Sequence, residues 1–263
     1  MNKASRTILI TLAAFGVYFL LDESFFSSLR GWLNHSIDLW GISHIITYII
    51  IGLPIIIGTW LIHKDGRVYK YLGLDGGIIQ AFIFGLLCTS PMFIGYALSY
   101  DFNYDFSLNR FLMAVLAAAF FEEFYFRGFL FGQLYRYTNW GFIPAVIIGA
   151  ILFGAVHLYQ GKEMSELLDI FLITFMGAVL YAWAYVEWNY NLWVPIFLHL
   201  LMNLSWELFS AGENALGGAA SNLFRGATIA LIIILTLAYK RRRAEKPAVN
   251  RNTIWMKRNQ AGA

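Results

Sequence analysis

Charge is scarce in this sequence. Asp, Glu, Lys and Arg make up 13% of its 263 residues, against roughly a quarter in an ordinary soluble domain, while 59% are hydrophobic and 18% aromatic. A water-soluble globule has too little interior to hide that much apolar surface, so the deficit excludes one. Cysteine is nearly absent: Cys88 stands alone inside an apolar run, which excludes an internal disulfide framework. The sequence shows no internal repeat and no low-complexity stretch. It has no His-Glu-x-x-His pair for a zinc site on one helix, no Gly-x-Ser-x-Gly nucleophile elbow and no phosphate-binding glycine loop. The pairs Tyr100-Asp101 and Tyr104-Asp105 are followed by no Gly-x-Gly-Asp that would supply a second intramembrane aspartate.

In place of charge the sequence has long apolar runs. They fall near Arg6–Leu21, Ile42–Ile62, Gly77–Tyr100, Leu108–Tyr135, Gly141–Tyr159, Leu167–Val186, Leu192–Phe209 and Asn222–Tyr239. Runs of this kind predict an all-α polytopic transmembrane bundle of about eight spans. The organisation is one membrane domain over residues 1–239, its motif-bearing part at 108–209, followed by a basic, solvated cytoplasmic tail at 240–263. The first run is short and continues, interrupted, toward Leu33. Leu21-Asp22-Glu23-Ser24-Phe25-Phe26 follows it where a cleavable signal peptide would carry small residues, so the run reads as a retained span. Pro54 and Pro91 fall inside spans and should kink them.

Basic residues divide unevenly between the alternate loops. Lys3, Arg6, Lys64, Arg67, Lys70, Arg136, Lys240, Arg241, Arg242, Arg243, Lys246, Arg251, Lys257 and Arg258 collect on one side; Arg30, Arg110, Lys162 and Arg225 on the other. The positive-inside rule then makes both termini cytoplasmic.

Three runs carry polar groups that a bilayer interior penalises and that mark a functional site by default. The fourth reads Phe120-Phe121-Glu122-Glu123-Phe124-Tyr125-Phe126-Arg127. Glu123 and Arg127 are four apart with the acid first, the favourable order for an intrahelical ion pair. Glu122, rotated about 100° from Glu123, is the carboxylate free to act as a general base. The fifth reads Phe153-Gly154-Ala155-Val156-His157 and the seventh His199-Leu200-Leu201-Met202-Asn203, each with its end residues one turn apart. Joined around one cavity, these groups suit peptide hydrolysis: a carboxylate takes a proton from water while imidazole and carboxamide stabilise the oxyanion. A carboxylate and two imidazoles equally suit a metal with an open position for water. A buried ion-pair cluster that fixes helix packing is the plain alternative for Glu122, Glu123 and Arg127.

At these three motifs the sequence resembles the CPBP family of intramembrane proteases, which includes the type II CAAX prenyl endopeptidases and bacteriocin-immunity proteins. The family pattern is Glu-Glu-x-x-x-Arg, then Phe-x-x-x-His, then His-x-x-x-Asn or Asp, and all three occur here in order on separate spans. Asn191-Leu192-Trp193-Val194-Pro195 also resembles the family's lead into the last motif. The resemblance implies an intramembrane endopeptidase with Glu122 as base, Glu123 and Arg127 in support, and His157, His199 and Asn203 completing the site. It leaves the cofactor open between none and a divalent metal such as zinc, which would take Glu122, His157 and His199. It implies a membrane-borne peptide or protein substrate, with the lipid bilayer as the other partner, and a bacterial cytoplasmic membrane as the setting. A proton-coupled transporter and a non-catalytic scaffold with the same fold are the other readings. Along the helices, His157 lies near the non-cytoplasmic end of its span and His199 nearer the cytoplasmic side, which sets the two imidazoles apart in depth.

Overall fold

The computed structural model describes residues 2–256, so Lys257 and Arg258 lie outside the described residues. Among those described the chain is all-helical, with one isolated bridge between Trp140 and Met256. Eight long helical segments follow one another, with a single helical turn at Val68–Tyr71 between the second and third: α1 (Lys3–Ile37), α2 (Trp40–His63), α3 (Ile78–Ser99), α4 (108–137), α5 (Phe142–Val156, continued by a 3-10 turn at Leu158–Gln160), α6 (Met164–Glu187), α7 (Trp193–Leu208) and α8 (Ala219–Arg242). Each coincides with one of the eight apolar runs. The first is longer than expected, running through Asp22 and Glu23 to Ile37 as one helix.

Six of the eight are long and apolar enough to cross a membrane, and the chain is an integral membrane protein. The two that fall short carry most of the polar motifs: α4, whose α-helical ladder is interrupted, and α7, only 16 residues long. α4 is the central element, with every residue of 123–135 buried. α1 lies along α2 and α4, α3 packs against α7 and α8, and α5 pairs with α6. Large apolar side chains such as Leu20, Ile57, Ile79 and Leu98 remain exposed on the outside of the bundle, the surface offered to lipid tails.

Inside the bundle, polar groups bond locally. Thr47, Thr59 and Thr89 donate their hydroxyls to carbonyls one turn back at 2.7, 2.8 and 2.9 Å. α2 breaks at Gly52, just ahead of Pro54, which has no N–H to continue the ladder. The break admits Tyr125, whose hydroxyl donates to the Tyr48 carbonyl at 2.6 Å. A Cβ at Gly52 would lie 2.1 Å from that hydroxyl oxygen, so the position requires glycine. Pro91, by contrast, sits within an uninterrupted α3.

The described part of the C-terminal tail does not run off into solvent. The amides of Ala248 and Val249 donate to the fully buried Glu187 carboxylate at 3.0 and 2.9 Å, and Lys240 pairs with the same carboxylate at 3.2 Å. Gly141, Phe142 and Ile143 donate their amides to the carbonyls of Trp255, Thr253 and Ile254, each at 2.8 Å. The tail therefore caps orphan donors at the start of α5, a task usually left to an N-cap side chain.

Candidate active site

α4 is built of alternating helix types. π-helical stretches at Phe111–Ala117 and Glu123–Phe131 flank a single α-helical stretch, Ala118–Glu122. π geometry is rare and concentrates at functional sites. The Glu122-Glu123 pair therefore sits at the junction where the helix changes its winding.

Glu123 is fully buried and serves two partners through one oxygen: Arg127 Nη1 lies 3.1 Å from Oε1, and His199 Nδ1 donates to the same Oε1 at 2.9 Å. The ion pair expected from the i,i+4 spacing is present, and it extends to an imidazole on α7. The Arg127 guanidinium is sandwiched by aromatic faces, with its carbon 4.4 Å from the Phe153 ring centre and 5.7 Å from that of Tyr181. Neither terminal nitrogen of Arg127 makes a hydrogen bond, nor does Glu123 Oε2.

Because Nδ1–H is committed to Glu123, the other ring nitrogen of His199 points away from that pair. It points at Glu122: His199 Nε2 and Glu122 Oε2 are 4.0 Å apart, too far for a direct hydrogen bond. Glu122 Oε2 is itself buried with no hydrogen-bond partner. The result is a polar chain across the bundle, Arg127 to Glu123 to His199 to Glu122, whose last gap is open.

Asn203, one turn beyond His199 on α7, donates its side-chain amide to the Ala114 carbonyl at 2.9 Å, within the first π stretch. One amide hydrogen braces α4, and the second remains. His157 caps the C-terminus of α5, and its Nδ1 donates to the Phe153 carbonyl at 2.6 Å. Its ring lies 4.6 Å from that of Phe153, so it connects to Arg127 through Phe153, not through Glu122 or His199. Among the described residues no three His, Cys, Asp or Glu side chains converge as a metal-ligand set. Glu122, His157 and His199 thus do not fit a metal in this arrangement.

Residues 105–205, which hold all of these groups, match the family described as type II CAAX prenyl endopeptidase Rce1-like. This motif-bearing segment is therefore similar to a family of membrane-embedded endopeptidases. YdiL of Bacillus subtilis (strain 168), provisionally named a membrane peptidase, is 40% identical over 82 residues. That match covers 31% of this chain and 29% of the relative, so the chain spans less than a third of YdiL's length in it. No solved structure matches the chain. The matched segment begins just before α4, leaving α1 to α3 and α8 outside it.

Two of those outer helices nevertheless bring residues to the site that the sequence did not single out. Asp22 and Tyr18 on α1 and Tyr48 on α2 all interact electrostatically with Glu122 or with each other. Within the matched segment, Tyr181 on α6 sets its ring 5.6 Å from that of His199. The tyrosines were indistinguishable from the interfacial aromatics common to membrane proteins. For Asp22 a signal existed, an acid inside what proves to be an unbroken span.

Proposed function

We propose that this protein is an intramembrane endopeptidase that hydrolyses peptide bonds of a membrane-associated or lipidated peptide, with both termini in the cytoplasm. The observation that carries this reading is the gap between Glu122 Oε2 and His199 Nε2, 4.0 Å wide and buried, with a fixed charge relay behind it. An attacking water held between an acceptor and an imidazole needs about this spacing, since each O–H···O or N–H···O contact spans roughly 2.8 Å and the two meet at an angle.

In this mechanism Glu122 takes a proton from the water as its oxygen attacks the scissile carbonyl. Glu123 holds the His199 ring in one orientation and stabilises positive charge on it, so that Nε2 can donate toward the developing oxyanion. Arg127 pairs with Glu123 and offsets its charge in a low-dielectric interior. The remaining amide hydrogen of Asn203 completes the carbonyl-binding side as the substrate enters, while His157 supports Phe153 against Arg127. No step is routed through a metal.

The test is cleavage by purified protein in lipid vesicles. Glu122→Gln, which keeps shape and removes the base, should abolish product while leaving helix content and thermal midpoint at wild-type values. A Glu122→Gln protein that cleaves at the wild-type rate refutes the mechanism.

A further inference from the structure

α1 lies outside the matched segment, yet it delivers a carboxyl to the site. Phe15, Tyr18 and Asp22 recur on one face of this helix at spacings of three and four. The Phe15 ring meets Phe126 at 5.2 Å and the Tyr18 ring meets Tyr125 at 4.5 Å, so ascending α1 means descending α4. One more turn along this antiparallel register brings Asp22 to the level of Phe121 and Glu122. The neighbouring contacts agree: Phe26, the next turn of α1, packs on Tyr48 at 4.8 Å, and Tyr48 stacks on Phe121 at 4.9 Å.

Asp22 Oδ1 is buried without a hydrogen-bond partner, the same condition as Glu122 Oε2. The groups that face Asp22 electrostatically are Glu23 and Tyr18 on its own helix, Tyr48 on α2, and Glu122 and Tyr125 on α4. None of them carries positive charge, and Asp22 forms no ion pair among the described residues. Arg127, the cation of the site, is engaged by Glu123. Two carboxyls with bare buried oxygens and no counter-ion beside Asp22 repel each other where water is scarce, and a proton on Asp22 removes that repulsion.

We propose that Asp22 is the proton-holding partner of Glu122, supplying the acid half of the hydrolysis, an inference that rests on the endopeptidase reading. Glu122, ionised, takes a proton from water while the water oxygen bonds to the carbonyl carbon. Asp22, protonated, gives its proton to the peptide nitrogen as the C–N bond breaks. A proton then passes from Glu122 to Asp22 and restores the starting state. Atoms and charge balance as peptide plus water giving acid plus amine.

Two measurements on full-length protein in lipid test this, Asp22→Asn and Asp22→Glu being compared with wild type. The first is a pH profile of cleavage. Asp22→Asn should lower kcat on the order of 10²-fold with KM unchanged and lose the alkaline limb, while Asp22→Glu recovers activity. The second is the infrared carbonyl band of a protonated carboxyl, which needs no substrate. It should be present in wild type at mildly acidic pH, fade as the pH rises through neutral, and be absent in Asp22→Asn. A band that persists in Asp22→Asn overturns the proposal even if the protein cleaves no peptide. Cleavage by Asp22→Asn with wild-type kcat and pH profile overturns it as well. A failed endopeptidase reading would instead show as an inactive wild type with the Asp22 band intact.

Discussion

Among the described residues two carboxylates are completely buried, and they are treated in opposite ways. Glu187, at the C-terminal end of α6, has both oxygens occupied, by Lys240 and by the Ala248 and Val249 amides. Glu123, mid-way along α4, uses one oxygen twice, leaves the other bare, and sits beside an Arg127 whose terminal nitrogens make no hydrogen bond and a Glu122 with a bare buried oxygen. A buried charge needs pairing and full hydrogen bonding to be stable. The Glu187 cluster meets that requirement and ties the tail to the bundle. The α4 cluster falls short of it by several bonds, and in the proposed mechanism the bare Glu122 oxygen is where a water binds. Satisfied charge builds structure here; we read the unsatisfied charge as the site.

The contrast can be broken by removing one member from each cluster. The largest effect should come from Glu122→Gln, a loss of roughly 10²–10⁴-fold in kcat with little change in thermal midpoint, read by vesicle cleavage and melting together. Arg127→Met should cost about 3–5 kcal/mol of stability, because it strands Glu123 without its cation. It should also silence cleavage at temperatures where the protein stays folded. Lys240→Met, at the satisfied cluster, should cost about 3 kcal/mol by the same physics yet leave kcat of the folded fraction within about twofold of wild type. The smallest effect is expected of Asn203→Ala, which leaves the Ala114 carbonyl unpaired at about 1–3 kcal/mol and is measured by thermal melting.

The sequence made the eight helices legible because apolar run length is a local property, and α2 broke just ahead of Pro54, where a kink was expected, while α3 runs without a break through Pro91. The Glu123–Arg127 pair was legible for the same reason, since both partners lie on one turn. What joins separate elements was not. The bond from Glu123 to His199 depends on how α7 packs on α4, and no spacing rule encodes it. Asp22 looked like the polar edge of a short first span because Glu23 beside it is exposed and acidic too. Only the length of α1 shows that the pair lies within a helix. The tail docks through backbone amides and carbonyls, which leave no residue signature, so a basic stretch read as solvated. The π stretches of α4 are equally silent in a run of phenylalanines.

The most direct test of the central claim compares peptide termini in native membranes carrying wild type, Glu122→Gln or Lys240→Met at matched levels, and repeats the comparison with purified protein in vesicles. New termini with wild type and Lys240→Met but none with Glu122→Gln are the predicted result. Equal termini from all three, or loss in Lys240→Met with retention in Glu122→Gln, would contradict the assignment of chemistry to the α4 cluster.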